Sequence, residues 1–200
     1  SVGFIGLAEC LTALVGENHA ESEAAWELGY KIIEHMRKKT DEAIDRYRLN
    51  YTLMATPAEG LSSRFTRLDH KLYGVIAGVT DKEFYTNSFH VPVWQEIGMA
   101  RKLEIEGPFH RLTNGAHISY VEMDAPPVHN IQAIEALLRH AAKQDIGYAG
   151  INFPIDECIG TADKPGCGNR GIISEDVCPN CGGKIQRIRR ITGYLAALSQ

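Results

Sequence analysis

Four of the five cysteines in this chain are clustered near its end, and this cluster limits how that part can fold. They are Cys158, Cys167, Cys178 and Cys181. The stretch CPNCGG (178–183) has the C-x-x-C spacing that lets two thiolates bind one metal ion, with glycines that let backbone N–H groups approach the sulfurs. The other two cysteines would complete a tetrahedral set, and Gly168 follows Cys167 as Gly182 follows Cys181.

A local cluster of this kind favours a structural zinc site in a reducing cytoplasm over a disulfide framework. A redox-active C-x-x-C pair with two unrelated thiols remains the alternative. The fifth cysteine, Cys10, lies in an apolar pattern and is interpreted as a small buried hydrophobe.

Size and charge exclude several classes of protein. The 200 residues, 44% hydrophobic and 23% charged, are typical of one large domain or a domain with a small module. The net charge of −4 gives no overall attraction to nucleic acid or to a membrane. The first ten residues, SVGFIGLAEC, lack both the basic stretch of a signal peptide and an initiator Met, so we expect a segment of a longer protein.

The pattern in the first half of the chain predicts two helices, a short strand and a further helix. The apolar stretch 2–16 predicts a buried helix that ends near Gly16, and residues 21–48 have the periodicity of a long amphipathic helix. NYTLMA (50–55) predicts a strand. After it, Thr56, Pro57 and Glu59 have the spacing of a capping box, and the helix that follows would bury a stripe formed by Ala58, Leu61, Phe65 and Leu68.

The second half predicts an α/β arrangement. Residues 70–112 are rich in turn signals, with a short extended segment, TNSFHVPV (86–93), interrupted by Pro92. Strand, helix and strand patterns at 115–123, 130–144 and 146–153 then predict a right-handed βαβ crossover. The helix would turn Ile131, Ile134, Leu138 and Ala141 inward. Composition changes after Phe153, so we place a boundary near residue 154.

Several residues could carry chemistry, although each has a structural alternative. The N–H groups at the helix start, with Thr56, Ser62, Ser63 and Arg64, could bind phosphate, or the helix could simply be capped. His90 and His117 could be catalytic or structural. Tyr120 and Glu122 would share one face of a strand. Gly193 could make a turn, or it could hold a backbone radical stabilised by its flanking amides.

Five stretches, in this order, make the chain resemble the C-terminal part of an anaerobic (class III) ribonucleoside-triphosphate reductase over essentially all 200 residues. They are LMATPAEGLSSRF (53–65), TNSFHVPV (86–93), GYAGINFPIDEC (147–158), CPNCGG (178–183) and RRITGYLA (189–196). The last is similar to the Arg-x-x-Gly-Tyr signature of glycyl radical enzymes, with Thr192 where Cys or Ser is commoner.

The resemblance implies a fold and a domain plan. The fold would be the second half of a ten-stranded α/β barrel, spanning residues 1–153, followed by a four-cysteine zinc module over 154–186 and a truncated glycyl radical loop over 187–200. It also implies that a radical-SAM activating enzyme installs the radical on Gly193. In the family this radical takes hydrogen from a finger-loop cysteine, whose thiyl radical abstracts the ribose 3′-hydrogen before water leaves C2′.

The resemblance assigns site residues as well. Glu59 and Met54 would lie near the ribose, and the substrate phosphates would bind at Thr56, Ala58, Gly60, Leu61 and Ser62. Forms that use formate as reductant commonly have Tyr at the position of Met54, so formate and a redoxin both remain open. Cys10 does not match the finger-loop context. We therefore expect the thiyl cysteine, and the parts that bind ATP and dNTP effectors, to lie outside these residues, and this chain to be inactive alone.

The resemblance implies a homodimer. The cysteine usage and the net charge predict a cytoplasmic protein with no direct DNA binding and no membrane contact. Two alternatives remain. One is a glycyl radical lyase related to formate lyases, although such relatives do not usually carry CPNCGG ahead of the radical loop. The other is a non-enzymatic zinc-ribbon interaction module, which the basic residues Lys184, Arg187, Arg189 and Arg190 would support.

Overall fold

The computed structural model describes residues 1–126, 130–191 and 194–197. Its helices are α1 Leu7–Val15, α2 Glu23–Tyr47, α3 Gly60–Tyr73, α4 Met99–His110 and α5 Ile131–Lys143. Its strands are β1 Val2–Phe4, β2 Leu53–Ala55, β3 Ser119–Glu122, β4 Ala149–Asn152, β5 Ile155–Thr161, β6 Lys164–Pro165, β7 Arg170–Gly171, β8 Lys184–Ile191 and β9 Tyr194–Ala197. None of the helices in these ranges combines the length and the apolar character needed to cross a bilayer.

Two pairs of parallel strands form the α/β part. β1 pairs with β2 in the register Gly3↔Met54, and β2 is bridged on its other side to Gly115. β3 pairs with β4 in the register Tyr120↔Gly150, and α5 connects them, so the predicted strand, helix and strand unit is confirmed. The described strands thus make a mixed α/β fold, while closure into a ten-stranded barrel is not seen among them.

The main core lies where α1 and α2 pack on the first strand pair. Its buried residues are Leu7, Leu11, Ile33, Leu53, Ala55, Phe89 and Phe109. The rings of Phe89 and Phe109 stack with centroids 5.4 Å apart. α1 approaches α2 at Gly29, where a Cβ atom would stand 3.0 Å from the Leu11 side chain. Because a larger residue would push the helices apart there, Gly29 sets their spacing.

Residues 155–197 form a separate antiparallel sheet within the described part of the chain. β5 is paired with β8 along most of its length, β9 extends the sheet beyond β8, and the short β6 and β7 flank β5. The register of β5 against β8 shifts between Cys158 and Gly160. This irregularity turns the backbone at the first cysteine of the cluster.

Several sequence predictions were wrong in detail. The apolar stretch at the start is a strand followed by a helix, because Gly6 adopts a left-handed conformation (φ 73°) between them. Residues 70–112 contain the end of α3 and all of α4. Cys10 is exposed. In α5, Leu137 and Ala141 are buried, whereas Ile131 and Leu138 are exposed.

Candidate functional site

The four clustered cysteines come together as one constellation. Their sulfur atoms all lie within 4.8 Å of one another, with Cys158 Sγ 3.5 Å from Cys181 Sγ and Cys167 Sγ 3.5 Å from Cys178 Sγ. Four sulfurs bound to a tetrahedral Zn²⁺ at about 2.3 Å would stand about 3.8 Å apart. The sulfurs are therefore spaced to hold one metal ion.

Local backbone geometry explains how the chain turns at Cys167 and again at Cys181 to bring the cysteines together. Gly168 and Gly182 both have left-handed backbones, with φ of 78° and 69°, each directly after a cysteine of the cluster. The amide of Cys178 donates to the carbonyl of Gly183, which closes the turn around the C-x-x-C stretch. A Cβ at Gly183 would approach Cys158 Sγ to 3.1 Å, so the absence of a side chain lets this turn lie against the sulfur.

The thiol of Cys178 is set to ionise easily. Burial opposes the charged form, but N–H donors from the backbone of Asn180 and the side chain of Asn169 outweigh it and lower the pKa of Cys178 to about 6. Thiolates, rather than thiols, bind metal ions. The environment of Cys178 therefore favours the ligand form at neutral pH.

The cysteine cluster is braced by one buried carboxylate. Asp156 on β5 accepts hydrogen bonds from the amide of Ile173 at 3.0 Å and from Arg187 Nη1 at 2.9 Å. Arg187 also donates to the carbonyls of Ile173 and Glu175. Arg187, one of the basic residues that would support an interaction module, instead binds with its guanidinium inside the module.

The second candidate site is the turn that joins β2 to α3. The predicted capping box does not form, because α3 begins at Gly60 with Glu59 preceding it, and Glu59 makes no side-chain cap. The Thr56 hydroxyl faces β1, where a Cβ at Gly3 would clash with it, and donates weakly to the carbonyl of Met54. Pro57 lies three residues before Gly60, the first residue of the helix, and so does not occupy the first helical position.

Backbone hydrogen bonds define which amides of this turn are already used. The N–H of Leu61 donates to the Ala58 carbonyl at 2.8 Å, and that of Ser62 donates to the Glu59 carbonyl at 3.2 Å. The Ala58 N–H donates to Asn87 Oδ1 at 3.0 Å. Pro57, Glu59, Gly60 and Leu61 are exposed, whereas Ala58 and Ser62 are buried. Glu59 and Gly60 therefore form the exposed centre of the turn.

Glu59 has a strained backbone. Its φ of 44° and ψ of −122° fall in a region that non-glycine residues rarely occupy. Met54 is half-buried on β2, between Gly3 and Gly115. Met54 and Glu59, which the resemblance places near the ribose, thus lie just before and just after the end of β2.

The predicted apolar stripe on α3 is wrong for three of its four residues. Ala58 is buried, but Leu61, Phe65 and Leu68 are exposed. The buried face of α3 carries Ser62 and Thr66, and the Thr66 hydroxyl donates to the Ser62 carbonyl at 2.8 Å. Because these hydroxyls donate hydrogen bonds to backbone carbonyls of the helix and its first turn, this polar face can be buried.

A buried polar network that sequence reasoning missed is centred on Glu106 of α4. This residue is fully buried, and its carboxylate accepts from Lys102 Nζ at 2.6 Å, from the Val91 amide at 2.9 Å and from Ser119 Oγ at 2.5 Å. Burial alone would raise the pKa of Glu106, but Lys102 and then His90 outweigh it and hold the pKa far below its usual range. The carboxylate is therefore a charged structural centre. The i,i+4 spacing of Lys102 and Glu106 was the one signal available in the sequence.

The two histidines singled out in the sequence belong to this neighbourhood. His90 Nδ1 lies 3.3 Å from Glu106 Oε2, close enough for a charge contact but not oriented for a hydrogen bond. His117 Nδ1 lies 2.9 Å from Thr113 Oγ1, and burial lowers its pKa. These contacts support a structural role for both.

The polar network extends through another histidine, His110. The amide of Gly147 donates to His110 Nδ1 at 3.1 Å, so the proton of the neutral ring is on Nε2, which lies 2.9 Å from Ser119 Oγ. On β3 the buried Ser119 and Val121 alternate with Tyr120 and Glu122, so the last two share a face as predicted.

Gly193, the predicted radical position, lies outside the described residues, as does Thr192. β8 and β9 run up to either side of them, and their register pairs Ile191 with Tyr194. The assignment of the radical to Gly193 remains a prediction.

The fold is that of anaerobic ribonucleotide reductases. A solved anaerobic ribonucleotide reductase matches 98% of this chain, and 29% of its own, with a TM-score of 0.77 at 18% identity. The anaerobic ribonucleotide reductase from Thermotoga maritima with glycerol in the active site matches 98% of this chain and 30% of its own, with a TM-score of 0.73 at 19% identity.

The sequence matches the family model for anaerobic ribonucleoside-triphosphate reductase over residues 1–199, and the chain belongs to that family. The anaerobic ribonucleoside-triphosphate reductase of Salmonella typhimurium is 37% identical over 98% of this chain, and that of Enterobacteria phage T4 is 37% identical over the same share. The chain spans 28% and 31% of the length of these two relatives.

Proposed function

We propose that this chain is the C-terminal catalytic segment of an enzyme that reduces ribonucleoside triphosphates to deoxyribonucleoside triphosphates for DNA synthesis. The observation that carries the proposal is the family match over residues 1–199. The matched relatives are named for this reaction, and their identity of 36–37% extends over 98% of this chain. The enzyme would act in the cytoplasm, without direct DNA binding or membrane contact.

Gly193 is the proposed radical site. A Cα radical is stabilised by delocalisation into the flanking amides, and glycine allows it to become planar because no side chain crowds the carbon. A radical-SAM activating enzyme would remove the hydrogen atom. Gly193 would store the radical, and this radical would generate a thiyl radical on a finger-loop cysteine. None of these 200 residues matches the context of that cysteine.

The cysteine cluster is the proposed zinc site, held by Cys158, Cys167, Cys178 and Cys181. Four thiolates close the coordination sphere, as in structural zinc sites, so the ion would cross-link the module rather than activate water. The spacing of the four sulfurs supports this ligand set. The cross-link would join Cys158 on β5 to the C-x-x-C turn that directly precedes β8, and β8 leads to Thr192 and Gly193.

The β2–α3 turn is the proposed nucleotide-binding turn. Among the predicted phosphate contacts Thr56, Ala58, Gly60, Leu61 and Ser62, the exposed Gly60 is the most accessible, because three of the other amides are bonded within the chain. The N-terminus of α3, a helix of 14 residues, favours an anion through its dipole. Glu59 and Met54 would border the ribose.

The reductant would be formate or a redoxin, and Met54 keeps both open. Effectors such as ATP and dNTPs would bind to other parts of the protein, and the expected assembly is a homodimer. The domain plan of 1–153, 154–186 and 187–200 is kept as part of the proposal.

The test is a product assay on a full-length reductase that includes these 200 residues. After anaerobic activation, we expect conversion of ribonucleoside triphosphates to deoxyribonucleoside triphosphates, and loss of this activity in Gly193→Ala. Formation of deoxynucleotides by Gly193→Ala at the wild-type rate would overturn the proposal. C–C bond cleavage by the activated protein, without nucleotide reduction, would instead support the glycyl radical lyase. Binding to DNA that weakens steeply with salt would support the interaction module.

A further inference from the structure

Residues 85–91, which we call the anchored segment, lie across the carboxyl ends of β1 and β2. Asn87 forms an antiparallel bridge with Ile5, directly after β1. On either side of this bridge, the amide of Gly6 donates to the Thr86 carbonyl at 2.7 Å and that of Leu7 donates to the Ser88 carbonyl at 3.2 Å. The segment is therefore fixed to the start of α1 at successive residues.

Two buried side chains, Glu9 and His19, also contact the anchored segment. Glu9 Oε1 accepts from the amide of Thr86 at 2.9 Å and from its hydroxyl at 2.7 Å. The carbonyl of Phe89 lies 2.8 Å from His19 Nε2. Glu9, His19 and Thr86 are all buried. Because these contacts lie in the core, the backbone around Asn87 has little freedom to move.

The side chain of Asn87 forms a hydrogen bond with the nucleotide-binding turn. Its Oδ1 accepts the N–H of Ala58 at 3.0 Å. The orientation of the carboxamide follows from chemistry, because a backbone N–H can only meet the oxygen and not the NH₂ group. Ala58 is buried, so an acceptor lost here could not be fully replaced by water.

The position of Ala58 decides the shape of the turn. The next residue, Glu59, has the strained backbone, and the carbonyls of Ala58 and Glu59 accept the first two bonds of the helix start. A rigid element outside the turn must hold Ala58 for Glu59 to keep this conformation. Asn87 fixes Ala58 through this hydrogen bond, and the segment that carries Asn87 is itself bonded to the start of α1.

We propose that Asn87 is a positioning residue for nucleotide binding, which holds the β2–α3 turn through Ala58 so that Glu59 and Gly60 face the substrate. The inference rests on the proposed function, since it assumes that this turn binds a ribonucleoside triphosphate. It adds a residue, outside the turn itself, on which substrate affinity depends.

The test compares three variants of a full-length reductase that includes these residues. Asn87→Leu removes the acceptor, and Asn87→Asp keeps an oxygen for the Ala58 N–H. Thr40→Val is the control, because it removes a buried hydroxyl that donates to the Met36 carbonyl within α2, outside both the anchored segment and the turn. Two quantities are measured: amide hydrogen exchange in the peptide that contains Ala58, and the Kd of a ribonucleoside triphosphate for the unactivated enzyme. Raised salt screens the charge added by Asp.

We expect Asn87→Leu to speed exchange at Ala58 and to raise the Kd, each about tenfold. Asn87→Asp keeps both values near those of the wild type. Thr40→Val lowers the Tm of the protein but leaves the Kd unchanged. The outcome separates a positioning role from general loosening of the fold.

Three results would overturn the proposal. Asn87→Leu could free the Ala58 amide without changing the Kd, it could leave the exchange rate unchanged, or Thr40→Val could raise the Kd as much as Asn87→Leu. In each case the wild-type enzyme still binds nucleotide, and the proposed function stands. If the wild type itself binds no ribonucleoside triphosphate, the proposed function fails first and the role of Asn87 fails with it.

Discussion

Arg187 Nη1 donates to Asp156 Oδ2 at 2.9 Å, and this pair joins β8 to β5 beside the cysteine cluster. Asp156 is almost completely buried, whereas Arg187 is only partly so. Removing one partner of a buried pair leaves a charge without full compensation.

We therefore expect Arg187→Met to lower the free energy of unfolding by about 3 kcal/mol, as measured by denaturant unfolding of the metal-loaded protein. In the double variant with Asp156→Asn, most of the loss should be recovered, because no buried charge remains. Additive losses in the two single variants and the double variant would show that the pair is not coupled.

Metal content is the second prediction. We expect one equivalent of zinc per chain in protein purified under reducing conditions, as measured by elemental analysis. Cys181→Ser should lose most of the metal, because a hydroxyl is a poor substitute for a thiolate ligand. Cys10→Ser is the matched control and should keep a full equivalent, since Cys10 lies outside the cluster. Two disulfides and no metal in the native protein would contradict this prediction.

Strain at Glu59 gives the third prediction. With φ at 44° and ψ at −122°, glycine should fit this position better than any residue with a Cβ. We expect Glu59→Gly to be more stable than Glu59→Ala by about 1 kcal/mol in thermal or denaturant unfolding, although glycine usually costs stability elsewhere. Both variants should lose activity with the carboxylate. If Ala proves the more stable replacement, the backbone at Glu59 is not strained.

The fourth prediction concerns acid sensitivity. Burial lowers the pKa of His19 from 6.5 to about 4. As the pH falls from about 6.5, the unfolded chain takes up the proton before the folded one does. The stability due to the neutral ring is complete above pH 6.5 and is lost progressively towards pH 4, by about 1.4 kcal/mol per pH unit in the middle of this range.

The measurement is the free energy of unfolding at pH 7, 6 and 5. His19→Gln should reduce the slope against pH, while His35→Gln, at an exposed position on α2, should leave it unchanged. Both variants keep the four cysteines, so any effect of acid on metal binding is common to them. Equal slopes in wild type and His19→Gln would contradict the assignment.

The elements that could be predicted from the sequence are those with clear local signals. The sequence correctly predicted the long amphipathic helix α2 and the succession of strand, helix and strand around α5. In both regions the spacing of apolar residues agrees with the tertiary contacts. The cysteine constellation could also be inferred, since two glycines after cysteines have the left-handed backbones that such turns require.

The rest depended on tertiary contacts that local patterns do not reveal. α4 was missed because its buried face carries Glu106, Gly107 and His110, and Pro108 lies inside it. Its polar residues are buried only because Ser119 and Val91, which are distant along the chain, satisfy Glu106. In the same way, Thr56 looked like a helix cap but instead packs against Gly3 of the neighbouring strand.

The most direct test of the radical assignment is electron paramagnetic resonance of a full-length reductase that includes this segment, activated without oxygen by its radical-SAM enzyme. We expect a doublet from a carbon-centred backbone radical, absent in Gly193→Ala, and cleavage of the chain at Gly193 when air is admitted. An activated enzyme that makes deoxynucleotides while showing no glycine-centred signal, or whose signal survives in Gly193→Ala, would contradict it.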